Sequence, residues 1–254
     1  MKTIAIIPAR YQSSRFEGKP LALINNKPMI MWVYNSVKNS NLFNEVLVAT
    51  DDDRILKEVK KHDGKAIMTS SSLSCGTERC KAVIDILEQQ GEYFDIAVNI
   101  QGDEPLIKKE QIQKVLDGFS DKRVDIVTLC KEIEDYKDVE DSNVVKVVCG
   151  KNNKALYFSR SPIPFDRENK KENNINKGIY FKHIGIYGYK TDVLKEICSI
   201  PESLLERTEK LEQLRWLENG YNIIANKTNI DTIGVDTPQD LENVIRIINK
   251  NNII

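Results

Sequence analysis

The chain has 254 residues, with 37 Lys and Arg against 38 Asp and Glu and a formal net charge of −1. That balance gives no basic footprint for nucleic acid or an anionic membrane, and the length suits one large α/β domain or a domain with an inserted lobe. Five cysteines, an odd number without a CxxC pair, argue against a disulfide framework or a zinc knuckle. No apolar run approaches transmembrane length, and the first one leads straight into Pro-Ala-Arg, so a soluble, cytoplasmic protein without a signal peptide is expected.

Thr3 to Ile7 is an unbroken apolar run that predicts a strand buried on both faces of a parallel sheet. It stops at Pro8 and empties into a polar loop carrying Arg10, Ser13, Ser14 and Arg15, closed by Gly18, Lys19 and Pro20. Backbone N–H groups in such a loop can cradle phosphate and its cations can neutralise it. It is not a P-loop, because Ser13 stands at the first glycine position and Pro20 at the Ser/Thr position; the dinucleotide fingerprint GxGxxG is absent too.

Pro28 to Lys38 predicts a helix, and Glu45 to Thr50 a second buried strand. Asp51, Asp52 and Asp53 follow; aspartates favour helix N-termini, so the run is read as a cap rather than a metal site. After a short strand from Ala66 to Thr69 comes a serine-rich loop, with Thr77 as the expected N-cap and Arg79 in the first turn of a helix marked by Cys80, Val83, Ile84 and Leu87. This loop and helix start could hold a nucleotide base or ribose. Asp95 to Ile100 predicts a strand running into Gln101-Gly102-Asp103-Glu104-Pro105. A carboxylate at the end of a central strand suits Mg²⁺, which takes few carboxylates beside water and phosphate oxygens.

Val124 to Leu129 and Val144 to Val148 predict further strands joined by a solvated acidic loop, with Cys130 and Cys149 as core thiols. Ala155 to Ser159 predicts a strand leading into a proline-framed Arg160, followed by a polar tract from Glu168 to Lys177 expected to be a mobile loop. Phe181 to Tyr189 alternates like a half-exposed strand and carries His183 and Tyr187. Glu209 to Asn219 predicts one helix with Leu211, Leu214 and Leu217 inward and Glu212, Gln213 and Arg215 off the core stripe. After a last strand, Ile223 to Ala225, Thr237, Pro238 and Asp240 form a capping box for a helix facing inward with Leu241, Val244, Ile245 and Ile248. Capping leaves Asp236 without a task and makes it a candidate partner for Asp103.

These motifs occur together and in order: IIPARYQSSRFEGKP, CGTER, NIQGDEP, ALYFSRSPIPFDR, KHIGIYGY, LEQLR and GVDTPQDLE. The set resembles the 3-deoxy-manno-octulosonate (Kdo) cytidylyltransferases over nearly the whole chain. The resemblance implies an α/β fold with a mixed, mainly parallel sheet flanked by helices, Rossmann-like, of the nucleotide-diphospho-sugar transferase type. It implies a single nucleotidyltransferase domain over residues 1–254, in which residues 154–220 form a smaller sugar-binding and dimerisation lobe. It implies transfer of CMP from CTP to Kdo with release of diphosphate, for lipopolysaccharide biosynthesis, by a homodimer with Mg²⁺ as cofactor.

Carried over residue by residue, the resemblance places Arg10, Ser13, Arg15 and Lys19 on the triphosphate, and Thr77, Arg79 and Gln101 around the cytidine. It gives Asp103 and Asp236 to the metal, with Lys19 beside them in the catalytic set. It gives Arg160, His183, Tyr187, Glu212 and Gln213 to the sugar acid. The chain departs from the family pattern at Glu17, where proline is usual, and at Cys75, where serine is usual. Alternative readings are a cytidylyltransferase for 8-amino-Kdo or a sialic-type sugar, or a non-catalytic nucleotide-binding protein of the same fold.

Overall fold

The computed structural model describes residues 1–13, 15–167 and 178–251. In chain order it contains β1 (Thr3–Ala9), β2 (Leu23–Ile24), β3 (Lys27–Pro28), α1 (Met29–Asn39), β4 (Glu45–Thr50), α2 (Asp53–Lys61), β5 (Ala66–Met68), α3 (Gly76–Gln89), β6 (Ile96–Asn99) and α4 (Lys109–Asp117). There follow β7 (Ile126–Glu132), α5 (Tyr136–Glu140), β8 (Lys146–Cys149), β9 (Ala155–Ser159), β10 (Phe181–Lys190), α6 (Thr191–Ser199), α7 (Leu204–Glu209), α8 (Glu212–Glu218), β11 (Ile223–Lys227) and α9 (Pro238–Lys250). Two compact units emerge, one of Met1–Ile112 with Thr232–Ile254 and the other of Gln113–Asp231.

In the first unit the strands lie in the order β6-β1-β4-β5, and each of these pairs is parallel. Ile4, Ala5, Ile6 and Ile7 of β1 are fully buried, as the apolar run predicts for a strand covered on both faces. The chain runs outward from β1 to β4 and β5, then returns to place β6 on the other side of β1. That reversal is a topological switch point, and the loops leaving β1 and β6 border a crevice beside it. The C-terminal helix α9 closes the unit by packing Val244 and Ile248 on Ile24, Met29 and Trp32. Its capping box is formed by Thr237 and Asp240, with Pro238 in the first turn, as the sequence predicts.

In the second unit β7 pairs parallel with β11 and antiparallel with β10, while β8 pairs antiparallel with β10 and β9. The β10–β7 register slips between Ile184 and Tyr187, a bulge in β10. This unit holds the whole 154–220 stretch and extends beyond it on both sides.

Several local expectations change. The segment from Glu209 to Asn219 is not one helix: Lys210 adopts a left-handed conformation, φ 53°, which ends α7, and α8 starts at Glu212. Gln213 is not off the core stripe but buried, and Trp216 fills the inward position expected of Leu217, which is only partly buried. From Ile186 to Tyr189 β10 is buried throughout rather than alternating, because the bulge resets the two-residue period. The acidic stretch after β7 contains α5, whose Val139 packs with Ile133 and Tyr180. Cys130 is buried as expected, whereas Cys149 is partly exposed. The tract Glu168 to Lys177 lies outside the described residues.

Candidate active site

The loop after β1 is closed by Gly18, whose N–H donates to the Tyr11 carbonyl at 2.9 Å while its own φ is +68°, a conformation that favours glycine. At the end of β6, Gly102 approaches β1 so closely that a Cβ there would stand 2.5 Å from the Pro8 carbonyl oxygen. A side chain at either position would shift one wall of the crevice. Between these walls lies a cavity of about 400 Å³. Arg10, Ser13, Arg15 and Lys19 line it from the first loop; Arg79, Gln101, Asp103 and Asp236 complete the lining. Ser14 lies outside the described residues. Glu17 is exposed and absent from the lining, so this departure from the family pattern brings no acid into the cavity.

The Lys19 ammonium donates to Asp103 Oδ2 at 2.6 Å and to Asp236 Oδ1 at 3.2 Å. Arg15 reaches the same Asp236 oxygen at 3.2 Å. Two carboxylates distant in sequence therefore converge on one cation. The backbone holds them there: the Val235 N–H donates to the Asp103 carbonyl at 2.9 Å. Asp240 Oδ2 accepts from the N–H of Asp236 at 3.1 Å. Helix α4 begins only at Lys109, so Asp103 is not a helix cap. Among the described residues no group of three or more His, Cys, Asp and Glu could hold a metal. A carboxylate pair already bridged by a cation, open to a polar cavity, is the donor set that Mg²⁺ completes with water and phosphate oxygens, so these residues fit that ion. Glu104 beside them carries no sequence signal; burial, aided by the charge of Asp103, pushes its carboxyl up to about 8.

Arg79 borders the cavity but is almost completely buried, and its guanidinium is engaged. It pairs with Asp51 at 2.9 Å and donates to the Thr69 hydroxyl and, at 3.4 Å, to the Ser70 carbonyl. Arg79 thus straps the serine-rich loop to the end of β4. The acid run divides its work: Asp52 caps α2 through the Arg54 N–H at 2.9 Å, and Asp51 holds Arg79. The N-cap of α3 is Cys75 rather than Thr77: its Sγ accepts from the Glu78 N–H at 3.4 Å. The thiol takes a capping role that hydroxyls and carboxylates more often fill. Thr77 is buried inside the first turn and does not line the cavity. Arg10 ties the two loops together by donating to the Ser74 carbonyl at 3.2 Å.

The five residues assigned to the sugar acid all lie in the second unit. Arg160 is anchored through Glu209, which accepts from the Arg160 N–H at 2.9 Å and, by its carbonyl, from Nε at 2.7 Å; Nη1 donates to the Ser142 carbonyl at 2.9 Å. Glu209 carries no sequence signal for this role. The Arg160 carbonyl accepts from the buried Lys146 ammonium at 2.6 Å, and burial lowers the pKa of that lysine. His183 lies with its ring centroid 5.2 Å from those of both Phe158 and Tyr187, and burial pushes its imidazole down to about 3. Burial, with the Glu212 carboxylate nearby, raises the Tyr187 phenol well above its ordinary value. Glu212 Oε1 accepts from Arg215 at 3.1 Å. Gln213 is buried.

A parallel switch-point sheet, a cation-lined loop and two convergent carboxylates suit nucleotidyl transfer, and the proteins this chain matches make it a nucleotidyltransferase. The cytidylyltransferase family profile matches residues 4–227, and the chain belongs to that family. A 3-deoxy-manno-octulosonate cytidylyltransferase of Thermodesulfovibrio yellowstonii is 50% identical over 252 residues, covering 98% of this chain and 99% of that protein. A CMP:2-keto-3-deoxy-manno-octonic acid synthetase solved in complex with CTP is 40% identical, with a TM-score of 0.89 over 99% of this chain and 100% of that one. A glucose-1-phosphate thymidylyltransferase of Bacillus anthracis, 15% identical with a TM-score of 0.64 over 96% and 94%, shares the fold. Within the family, the chain is a member of the 3-deoxy-manno-octulosonate cytidylyltransferases. No helix among the described residues is long and apolar enough to cross a membrane.

Proposed function

We propose that the protein transfers the cytidylyl group of CTP to the anomeric hydroxyl of Kdo, forming CMP-Kdo and diphosphate. The observation that carries this reading is the convergence of Arg15, Lys19, Asp103 and Asp236 on the switch-point cavity, in a chain half identical to a protein of that name. The sugar oxygen forms the new bond to the α-phosphorus, the bond from that phosphorus to the bridging oxygen breaks, diphosphate leaves with the electron pair, and the hydroxyl proton passes to solvent. Such a transfer depends on positioning and charge neutralisation more than on covalent help.

Arg10, Ser13, Arg15 and Lys19 grip the triphosphate, and Gln101 with the strapped serine loop bounds the nucleoside. Thr77 supports that wall from within α3, and Arg79 holds it from behind. Asp103 and Asp236 hold Mg²⁺, which when bound supplies positive charge to the phosphate oxygens. In the second unit, Arg160 supplies the charge that a sugar carboxylate requires, and His183, Tyr187, Glu212 and Gln213 supply the partners for its hydroxyls. The sequence motifs support a homodimer working in the cytoplasm on a precursor of lipopolysaccharide.

The test is the kinetics of Arg160→Ala. The KM for Kdo should rise far more than the KM for CTP; equal effects on both would contradict this division of substrates between residue sets.

A further inference from the structure

Thr128 belongs to neither residue set discussed so far, yet it is fully buried at the bulge of β10. Its Oγ1 lies 3.0 Å from the Ile184 carbonyl oxygen, 2.8 Å from the Ile186 carbonyl oxygen and 3.0 Å from His183 Nε2. A threonine hydroxyl has one proton and two lone pairs, and a carbonyl can only accept. Two carbonyls therefore claim the proton of Thr128, and Oγ1 faces the imidazole with a lone pair. If Nε2 were unprotonated, it would compete for that proton and leave both bulge carbonyls against a bare oxygen in a buried site.

We propose that Thr128 is a positioning residue that locks His183 in the neutral tautomer protonated at Nε2, leaving Nδ1 as an acceptor that reads a hydroxyl of the sugar acid rather than its carboxylate. The inference rests on the reading that His183 touches the sugar. Burial acts in the same direction, since it disfavours the imidazolium that a carboxylate would need. Tyr187 lies in the same cluster, its ring centroid 5.2 Å from that of His183, and the Thr128 hydroxyl partly offsets the upward shift that burial gives its phenol.

The chain has only two histidines, so ring-nitrogen NMR of the ¹⁵N-labelled protein, with His62→Gln for assignment, isolates the signal of His183. The wild type should show the Nε2-protonated form at neutral pH. Thr128→Val keeps the shape and removes the hydroxyl. It should mix the tautomers and raise the KM for Kdo about 3- to 10-fold, the loss of one hydrogen bond, with little change in the KM for CTP. Thr128→Ser should restore both the tautomer and the KM, which separates loss of the hydroxyl from loss of packing. A wild-type ring protonated at Nδ1 would overturn the proposal. So would a Thr128→Val protein with an altered tautomer and an unchanged KM for Kdo, although that outcome would leave the functional reading intact. Wild-type protein inactive toward every sugar acid would overturn both, whatever the spectrum.

Discussion

Lys19→Met removes the charge that bridges Asp103 and Asp236 while keeping a side chain of similar length. The ammonium lies 2.6 Å from one carboxylate and 3.2 Å from the other, and these are 32% and 50% exposed. Pairs so open to water contribute about 0.2–1 kcal/mol each, because solvent screens them. Removing both therefore frees the carboxylates of about 0.5–2 kcal/mol of competition for a divalent cation. At about 1.4 kcal/mol per factor of ten, Mg²⁺ should bind the nucleotide-free protein about 2- to 30-fold more tightly. The same change should lower kcat/KM for CTP by about 10²-fold, because the triphosphate loses a preorganised cation. Calorimetric Mg²⁺ titration without nucleotide reads the first effect, and initial rates read the second. Unchanged or weaker Mg²⁺ binding would refute competition between the Lys19 ammonium and a divalent cation for the two carboxylates.

Asp103→Asn and Asp236→Asn should each cut kcat by about 10²–10³-fold with melting curves that remain cooperative; near-normal turnover at saturating Mg²⁺ would remove that residue from the metal site. Asp51→Asn leaves the buried Arg79 guanidinium without its counter-charge and should cost about 3 kcal/mol, the low end for a broken buried pair because Thr69 and Ser70 still accept from it. A melting temperature equal to that of the wild type would contradict this. His183 is held near 3 when folded, against an ordinary value of 6.5. Below that ordinary value the unfolded chain takes up a proton that the folded chain refuses, so stability is fully present above it and falls as pH drops toward 3. The loss should reach about 1.4 kcal/mol per pH unit. Denaturant titrations across this window should show the slope, and His183→Gln should remove its share; an identical slope in the variant would contradict the burial of a neutral imidazole.

What the sequence makes legible is what local pattern encodes. The isoleucine run of β1, the capping box at Thr237 and Asp240, and a spare carboxylate at Asp236 are all readable from spacing and residue chemistry. The bridge that Lys19 makes between Asp103 and Asp236 joins residues 84 and 217 positions away along the chain, and no periodicity reports it. Cys75 escapes a reading based on cap preferences because thiols are seldom N-caps, and those preferences favour Thr77. Gln213 looks solvent-facing on a helix drawn from Glu209, but the left-handed Lys210 restarts the helix and rotates the face inward. The roles of Asp51, Glu209 and Thr128 come from partners on other elements, and only the folded arrangement reveals them.

Acceptor preference tests the central claim most directly: kcat/KM measured in parallel for Kdo, 8-amino-Kdo and N-acetylneuraminic acid by diphosphate release with CTP and Mg²⁺. A pocket that pairs particular hydroxyls rejects ligands that leave its buried polar groups unpaired, by as much as about 10⁴-fold. Kdo should therefore exceed N-acetylneuraminic acid by a large factor and exceed the 8-amino sugar as well. A higher value for the 8-amino sugar would overturn the choice of acceptor, and a higher value for N-acetylneuraminic acid would contradict the proposed function itself.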